Sequence, residues 1–179
     1  YALASRALNL TSAAASAGTL SATLNSASPT TQSISGLSTT AGVYTAVKLM
    51  DFDLKATSGP INVSLISGTL TSTGTIANDV ASAELRDGTS VLSSVTGAGT
   101  FSFSSLNIEI ATGTTKTLSI WVQAKDINTG SVVKADGINA AVTAVTASSG
   151  TNFTSASITP TVTGNIMYLY QYAPTIALS

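Results

Sequence analysis

The sequence predicts an all-β protein, an antiparallel β-sandwich, and three observations support this prediction. Apolar and polar residues alternate with a period of two, so that Leu118, Ile120 and Val122 share one face of residues 117–124. Glycine and proline interrupt such segments at intervals of about 8–12 residues, which is typical of sandwiches. Ser, Thr, Ala and Gly make up more than half of the 179 residues, but the hydrophobic content of 44% is too high for a disordered stalk.

The first half of the chain predicts three strands. The first covers residues 19–25, and a turn at Ser28-Pro29 and a polar loop at residues 33–38 follow it. Residues 42–56 form the longest strand candidate, whose apolar parity switches between Leu49 and Met50 and so predicts a β-bulge. After a turn at residues 58–60, the next strand begins at Ile61 with the same alternation.

The second half predicts a hairpin and then further strands. The hairpin covers residues 82–95 around Asp87-Gly88, a dipeptide that favours a type I′ turn because both central positions of that turn need positive φ. The alternation then predicts strands at 101–103, 106–110, 116–125, 131–147 (interrupted at Asp136-Gly137), 153–158 and 162–170. Within them, the expected core residues are Leu106, Ile108, Leu118, Ile120 and Val122.

Little or no helix is expected. Only the Ala-rich residues 12–17 suggest one, but the stretch is short and contains several serines, so an extended arm is the better interpretation. The predicted organisation is an N-terminal arm at residues 1–18, a sandwich at 19–172 and a C-terminal strand at 173–179. No run of about 18 apolar residues predicts a transmembrane helix.

Composition argues against several functions. The chain has no Cys and no His, which excludes zinc sites with thiolate or imidazole ligands, disulfides and Ser-His-Asp catalysis. Seven basic residues and a net charge of −1 argue against nucleic-acid binding. We therefore expect a non-enzymatic protein without a cofactor, metal or catalytic centre.

Three groups of acidic residues suggest metal binding or catalysis, against that expectation. Asp51 and Asp53, between Lys48 and Lys55, suggest either a Ca²⁺ site or a solvated strand face, and the solvated face is favoured. A second oxygen cluster, Asp126, Asn128 and Asp136, suggests either Ca²⁺ binding or Asx turns, and the turns are favoured. Glu84 and Glu109 could form a glycosidase pair, which the lack of accompanying cleft aromatics disfavours.

Aromatic residues point to contact surfaces. Trp121, opposite the Ile120 face, is expected to be a core or half-buried residue rather than a sugar platform or subunit contact. Tyr168, Tyr170 and Tyr172 share one parity of the last strand, where a subunit interface is favoured over packing within the domain.

Several segments together resemble a bacterial or archaeal Ig-like surface-protein repeat. They are Leu85-Arg86-Asp87-Gly88-Thr89, Gly99-Thr100-Phe101-Ser102-Phe103, Leu106-Asn107-Ile108-Glu109-Ile110 and Gly113-Thr114-Thr115-Lys116-Thr117-Leu118. The resemblance covers roughly residues 19–172. It implies an Ig-like sandwich on a cell envelope, often in tandem, with no enzyme activity.

Apolar segments beyond both ends of the predicted sandwich suggest assembly by strand exchange. The expected function is a structural subunit of an extracellular, pilus-like filament or a surface layer. The alternative is a carbohydrate-binding or adhesive module of a larger surface protein. The expected partner is a second copy of the chain, with no nucleic acid and no membrane span.

Glycans are permitted by the sequons at Asn9, Asn62 and Asn152, whose number matches chance. The expected interface residues are Leu3, Ala7, Leu8, Leu10, Tyr168, Tyr170, Tyr172, Ile176 and Leu178.

Overall fold

A computed structural model describes residues 18–97, 99–126, 136–149, 156–158 and 161–170. These residues form strands and a single helical turn, α1 (Ile76–Asp79). The strands are β1 (Thr19–Leu24), β2 (Gln32–Ile34), β3 (Thr45–Thr57), β4 (Ile61–Ser72), β5 (Val80–Asp87), β6 (Ser90–Thr96), β7 (Thr100–Phe103), β8 (Ile108–Ile110), β9 (Thr115–Ala124), β10 (Gly137–Ser149), β11 (Ala156–Ile158), β12 (Val162–Thr163) and β13 (Met167–Leu169). The all-β prediction is confirmed.

The first sheet has five strands in the order β1-β3-β9-β5-β6, and all its pairs are antiparallel. Strand β9 lies at its centre, where Ile120 faces Met50 on β3 and Leu85 on β5. Strands β1 and β6 form the two opposite edges of this sheet. In this order, β1 and the β5–β6 hairpin lie on opposite sides of the central strand β9.

The second sheet is built on the long β4–β10 pair and has the order β2-β13-β10-β4-β7. Strand β8 also pairs with β4, and β11 and β12 also pair with β10. Its pairs are antiparallel except for β13 with β2, which run parallel. The two sheets pack together as a β-sandwich.

One hydrophobic core joins the inward faces of the two sheets. It includes Phe52 and Ile120 from the first sheet and Ile66 and Phe103 from the second, all fully buried. The core prediction is confirmed for Ile108, Leu118, Ile120 and Val122. Leu106 is instead only half-buried, packed against the core just before β8 begins, so the prediction overstates its burial.

The predicted bulge in β3 and the predicted β5–β6 turn both lie where the sequence placed them, but the type of turn differs. The β3–β9 register shifts between Lys48 and Met50, which confirms the predicted bulge. The hairpin turn lies where expected, but Asp87 pairs with Ser90 and belongs to the strand. Of the two turn residues, only Gly88 has positive φ (59°), which fits a type II′ turn and not the predicted type I′.

Two other segment predictions need correction. Residues 33–38 are not wholly a loop, because β2 covers part of them and Leu37 is buried in the core. Strand β3 has 13 residues, and β10 equals it in length, so the 42–56 candidate is not uniquely the longest. The start of the predicted 131–147 strand and residues 153–155 lie outside the described residues.

Candidate subunit interface

Strand β6 is one of the two edge strands of the five-stranded sheet, and five of its seven residues are exposed. Its seven residues, Ser90–Thr96, contain no charged residue and no proline, which are common means by which proteins block edge pairing. Val91 and Leu92 are large apolar side chains that are 51% and 40% exposed. A β-bulge at Leu92 interrupts the ladder with β5, and residues 93–96 continue it. Among the described strands, β6 is paired on one side only, with β5.

Gly18, directly before β1, lies at the edge of the five-stranded sheet opposite β6. The Gly18 N–H donates a hydrogen bond to Ser149 Oγ at 2.6 Å, which ties the beginning of β1 to the end of β10. A Cβ at Gly18 would lie 2.8 Å from the carbonyl oxygen of Gly59, so only glycine fits at this close approach. Gly18 is therefore fixed at the β1 edge.

Most of the predicted interface residues fall outside the described part of the chain. Leu3, Ala7, Leu8, Leu10, Tyr172, Ile176 and Leu178 are in this group, as are the sequon asparagines Asn9 and Asn152. The predictions made for these residues stay predictions.

Tyr168 and Tyr170 are the described members of the predicted tyrosine row. Their neighbours Met167 and Leu169 are buried, so the tyrosines lie on the outward face of the second sheet. Both rings are half-buried. A Cβ at Gly137 would lie 3.0 Å from Tyr168 Cε1, so the glycine gives this ring a place to pack. Part of the Tyr168 surface is therefore used within the domain.

Trp121 occupies the outward face of the five-stranded sheet and is half-buried, as expected. The guanidinium of Arg86 lies 4.4 Å from the centre of its ring and Lys48 Nζ lies 5.8 Å from it. Lys48 and Arg86 belong to the two strands that flank β9, so cations from both sides contact the indole. These contacts favour a structural role over a sugar-stacking platform.

Glu84 completes this outward cluster. Arg86 donates to its carboxylate from Nε at 2.8 Å and Gln123 donates from Nε2 at 2.8 Å. Burial tends to raise the pKa of Glu84, but the hydrogen bonds from Gln123 and Arg86 outweigh it, so the pKa is lowered.

Glu109 lies on β8 of the other sheet, beside an open cleft of about 630 Å³. The structure therefore does not bring the two glutamates together as a glycosidase pair.

Asp51 and Asp53 are each held by protein donors. Asp51 is buried and accepts hydrogen bonds from Ser119 Oγ at 2.6 Å and Lys48 Nζ at 2.9 Å. Asp53 accepts from Asn25 Nδ2 at 2.8 Å and Thr117 Oγ1 at 2.6 Å. The favoured solvated-face interpretation is wrong for Asp51, whose buried carboxylate links β3 to β9.

The second predicted oxygen cluster comprises Asp126, Asn128 and Asp136, and each of them has a different outcome. Asp126 accepts a hydrogen bond from the Gly42 N–H at 3.0 Å, and Asn128 lies outside the described residues. Asp136 is buried with its carboxylate against Gly74 and beside Asp79. The favoured Asx-turn interpretation stays a prediction for Asp126 and Asp136. Across the residues that the structure describes, no three Asp or Glu side chains gather into a metal-binding group.

Two contributors to these arrangements have no signal in the sequence. Asp79 lies in an irregular Ser/Thr-rich stretch without a strand pattern, so no signal marked it. The Lys116–Asp87 ion pair joins two strands 29 residues apart, a distance that sequence spacing does not bridge. The predicted sequon residue Asn62 lies on β4, where its amide donates to Asn107 Oδ1 at 2.5 Å.

The class of protein that the fold defines is an all-β sandwich. No protein-family model, curated protein or solved structure matches the chain. None of the helices in the described ranges is long and apolar enough to cross a membrane.

Proposed function

We propose that this chain is a structural subunit of an extracellular filament or surface layer, and that neighbouring subunits assemble by strand exchange. It would belong among the Ig-like surface-protein repeats that its sequence resembles. The observation that carries the proposal is the uncharged edge of β6, with Val91 and Leu92 exposed. An apolar strand in water and an open sheet edge are both stabilised when they pair.

The positions of the two edges favour an open polymer. The N-terminal arm precedes β1, whereas the accepting edge is β6, at the other side of the same sheet. With five strands spaced about 4.8 Å apart, these edges are separated by about 19 Å. A donor on one edge and an acceptor on the other make a head-to-tail contact, which propagates into a filament unless the rotation closes a ring.

The proposed donor is the segment of residues 1–11. Its apolar residues Leu3, Ala7, Leu8 and Leu10 would cover the exposed side chains of β6, while backbone hydrogen bonds extend the sheet. Residues 12–17 are small and supply a connection of low bulk before Gly18. The C-terminal segment, with Ile176 and Leu178, is shorter and is the second choice.

A charge placed on β6 tests the accepting edge. Val91→Lys puts an ammonium group on the strand, and Val43→Lys is the matched control because the two valines are 51% and 50% exposed. Val43 precedes β3 and belongs to no strand. We expect Val91→Lys to fold as the wild type does but to lose polymerisation, because the donor strand would have to bury the charge. Val43→Lys should polymerise normally.

The readouts are thermal unfolding of the monomer, light scattering and negative-stain electron microscopy. Filaments of normal width and yield from Val91→Lys would contradict β6 as the acceptor. If both the wild type and the variants remained monomeric, the alternative of an adhesive or carbohydrate-binding module would replace the proposal.

A further inference from the structure

Two buried carboxylates meet at one end of the sandwich, where the β4–β5 connection crosses the start of β10. Asp79, at the end of α1, is 0% exposed, and Asp136, just before β10, is 8% exposed. The connection is pinned to β10 by two hydrogen bonds, from the Thr73 N–H to the Gly137 carbonyl oxygen at 2.9 Å and from the Gly137 N–H to Thr73 Oγ1 at 2.8 Å. These bonds bring the two side chains together.

Each carboxylate keeps one buried oxygen without a hydrogen-bond donor among the described residues. These atoms are Asp79 Oδ1 and Asp136 Oδ2. The other oxygen of Asp79 accepts from Ser72 Oγ, which in turn accepts from the Gly74 N–H at 2.9 Å. A carboxylate that is left buried and unpaired is costly, and two that face each other cost more.

Glycine at position 74 makes room for the Asp136 carboxylate. A Cβ there would lie 2.7 Å from Asp136 Oδ1 and would overlap Oδ2. Lys125 acts on Asp79 through its charge, but its ammonium group donates to the Ala77 carbonyl oxygen at 2.7 Å. The Lys125 ammonium group therefore lowers the pKa of Asp79 through its charge, whereas its hydrogen bond is to a backbone oxygen.

We propose that Asp79 and Asp136 bind a calcium ion at this end of the sandwich. The donors are hard carboxylate oxygens, the ligand type that Ca²⁺ prefers, and Ser72 adds a hydroxyl beside them. Ca²⁺ takes six to eight oxygens, so neighbouring carbonyl groups and water would supply the remainder. This proposal departs from the sequence-based expectation of no metal site.

Burial raises the pKa of Asp79 most, and the negative charge of Asp136 and its hydrogen bond with Asp79 raise it further, against the opposing hydrogen bond from Ser72. The two carboxylates therefore lie close enough to interact directly.

Calorimetry on the whole chain tests the site. The protein is stripped with EGTA, dialysed and titrated with CaCl₂, with MgCl₂ as the comparison, and its thermal unfolding is measured in parallel. We expect one calcium ion per chain and a rise in Tm of about 5–10 °C when calcium exceeds the Kd about 100-fold. Asp136→Asn should abolish both responses, whereas Asp53→Asn, whose carboxylate has Asn25 and Thr117 as donors, should retain them.

Two results would overturn the proposal. If the wild type takes up no calcium at millimolar concentration, Asp79 and Asp136 do not form a calcium site. If Asp136→Asn binds calcium as the wild type does, the ion is held elsewhere. Titration of the wild type decides the question even if Asp136→Asn fails to fold, and neither result bears on strand exchange.

Discussion

Replacement of Ile120 tests the arrangement of the core most severely. Ile120 is 0% exposed on the central strand β9, and its neighbours in register, Met50 and Leu85, are also fully buried. Ile120→Val removes one methyl group and should cost about 0.5–1.5 kcal/mol of unfolding free energy, whereas Ile120→Ala should cost about 2–5 kcal/mol. Ile120→Asp adds an unpaired buried carboxylate, which costs several kcal/mol more.

The sum for Ile120→Asp approaches the whole stability of an ordinary domain, about 5–15 kcal/mol. We therefore expect Ile120→Val and Ile120→Ala to fold with graded losses and Ile120→Asp to remain unfolded. Urea denaturation followed by circular dichroism measures the series. Thr115→Asp is the control, because Thr115 is exposed at the start of the same strand. A soluble Ile120→Asp variant with the wild-type midpoint would refute the packing of the two sheets described above.

Two further predictions concern the outward cluster and the second sheet. Because the pKa of Glu84 is lowered, its contribution to stability is present above the ordinary value of 4.5 and is lost as the pH falls through the folded pKa. Glu84→Gln should flatten this acid limb in pH-dependent unfolding, and an unchanged limb would contradict the role of its bonds to Arg86 and Gln123. Gly68→Ala should lower the unfolding free energy by about 1–3 kcal/mol, since the added Cβ would overlap the Ala141 carbonyl oxygen on β10. Wild-type stability in that variant would contradict the close β4–β10 approach.

The sequence predicted the parts of the fold that depend on local alternation. Residues 45–57 show this well, because the parity switch at Leu49 and Met50 corresponds to the observed bulge. The β5–β6 hairpin was also placed correctly. Such features are set by which side chains face the core along one strand, and that information is contiguous in sequence.

The features that the sequence did not reveal depend on contacts between distant segments. The parallel pairing of β13 with β2 joins residues 167–169, part of the predicted strand 162–170, to residues 32–34, which overlap the predicted loop at 33–38. Asp79 meets Asp136 only because the β4–β5 connection is pinned to β10. The assignment of Asp51 to a solvated face failed for a similar reason, since its partner Ser119 comes from β9.

Deletion of residues 1–11 tests the central claim of assembly by strand exchange most directly. The truncated chain keeps Gly18 and all the described strands, so it should fold or be marginally stable as a monomer. Negative-stain electron microscopy should show no filaments, and adding a synthetic peptide of residues 1–11 should raise the Tm of the truncated monomer by occupying its open edge. Filaments of normal width from the truncated protein would contradict the N-terminal donor and leave the C-terminal segment or a covalent tandem array in its place.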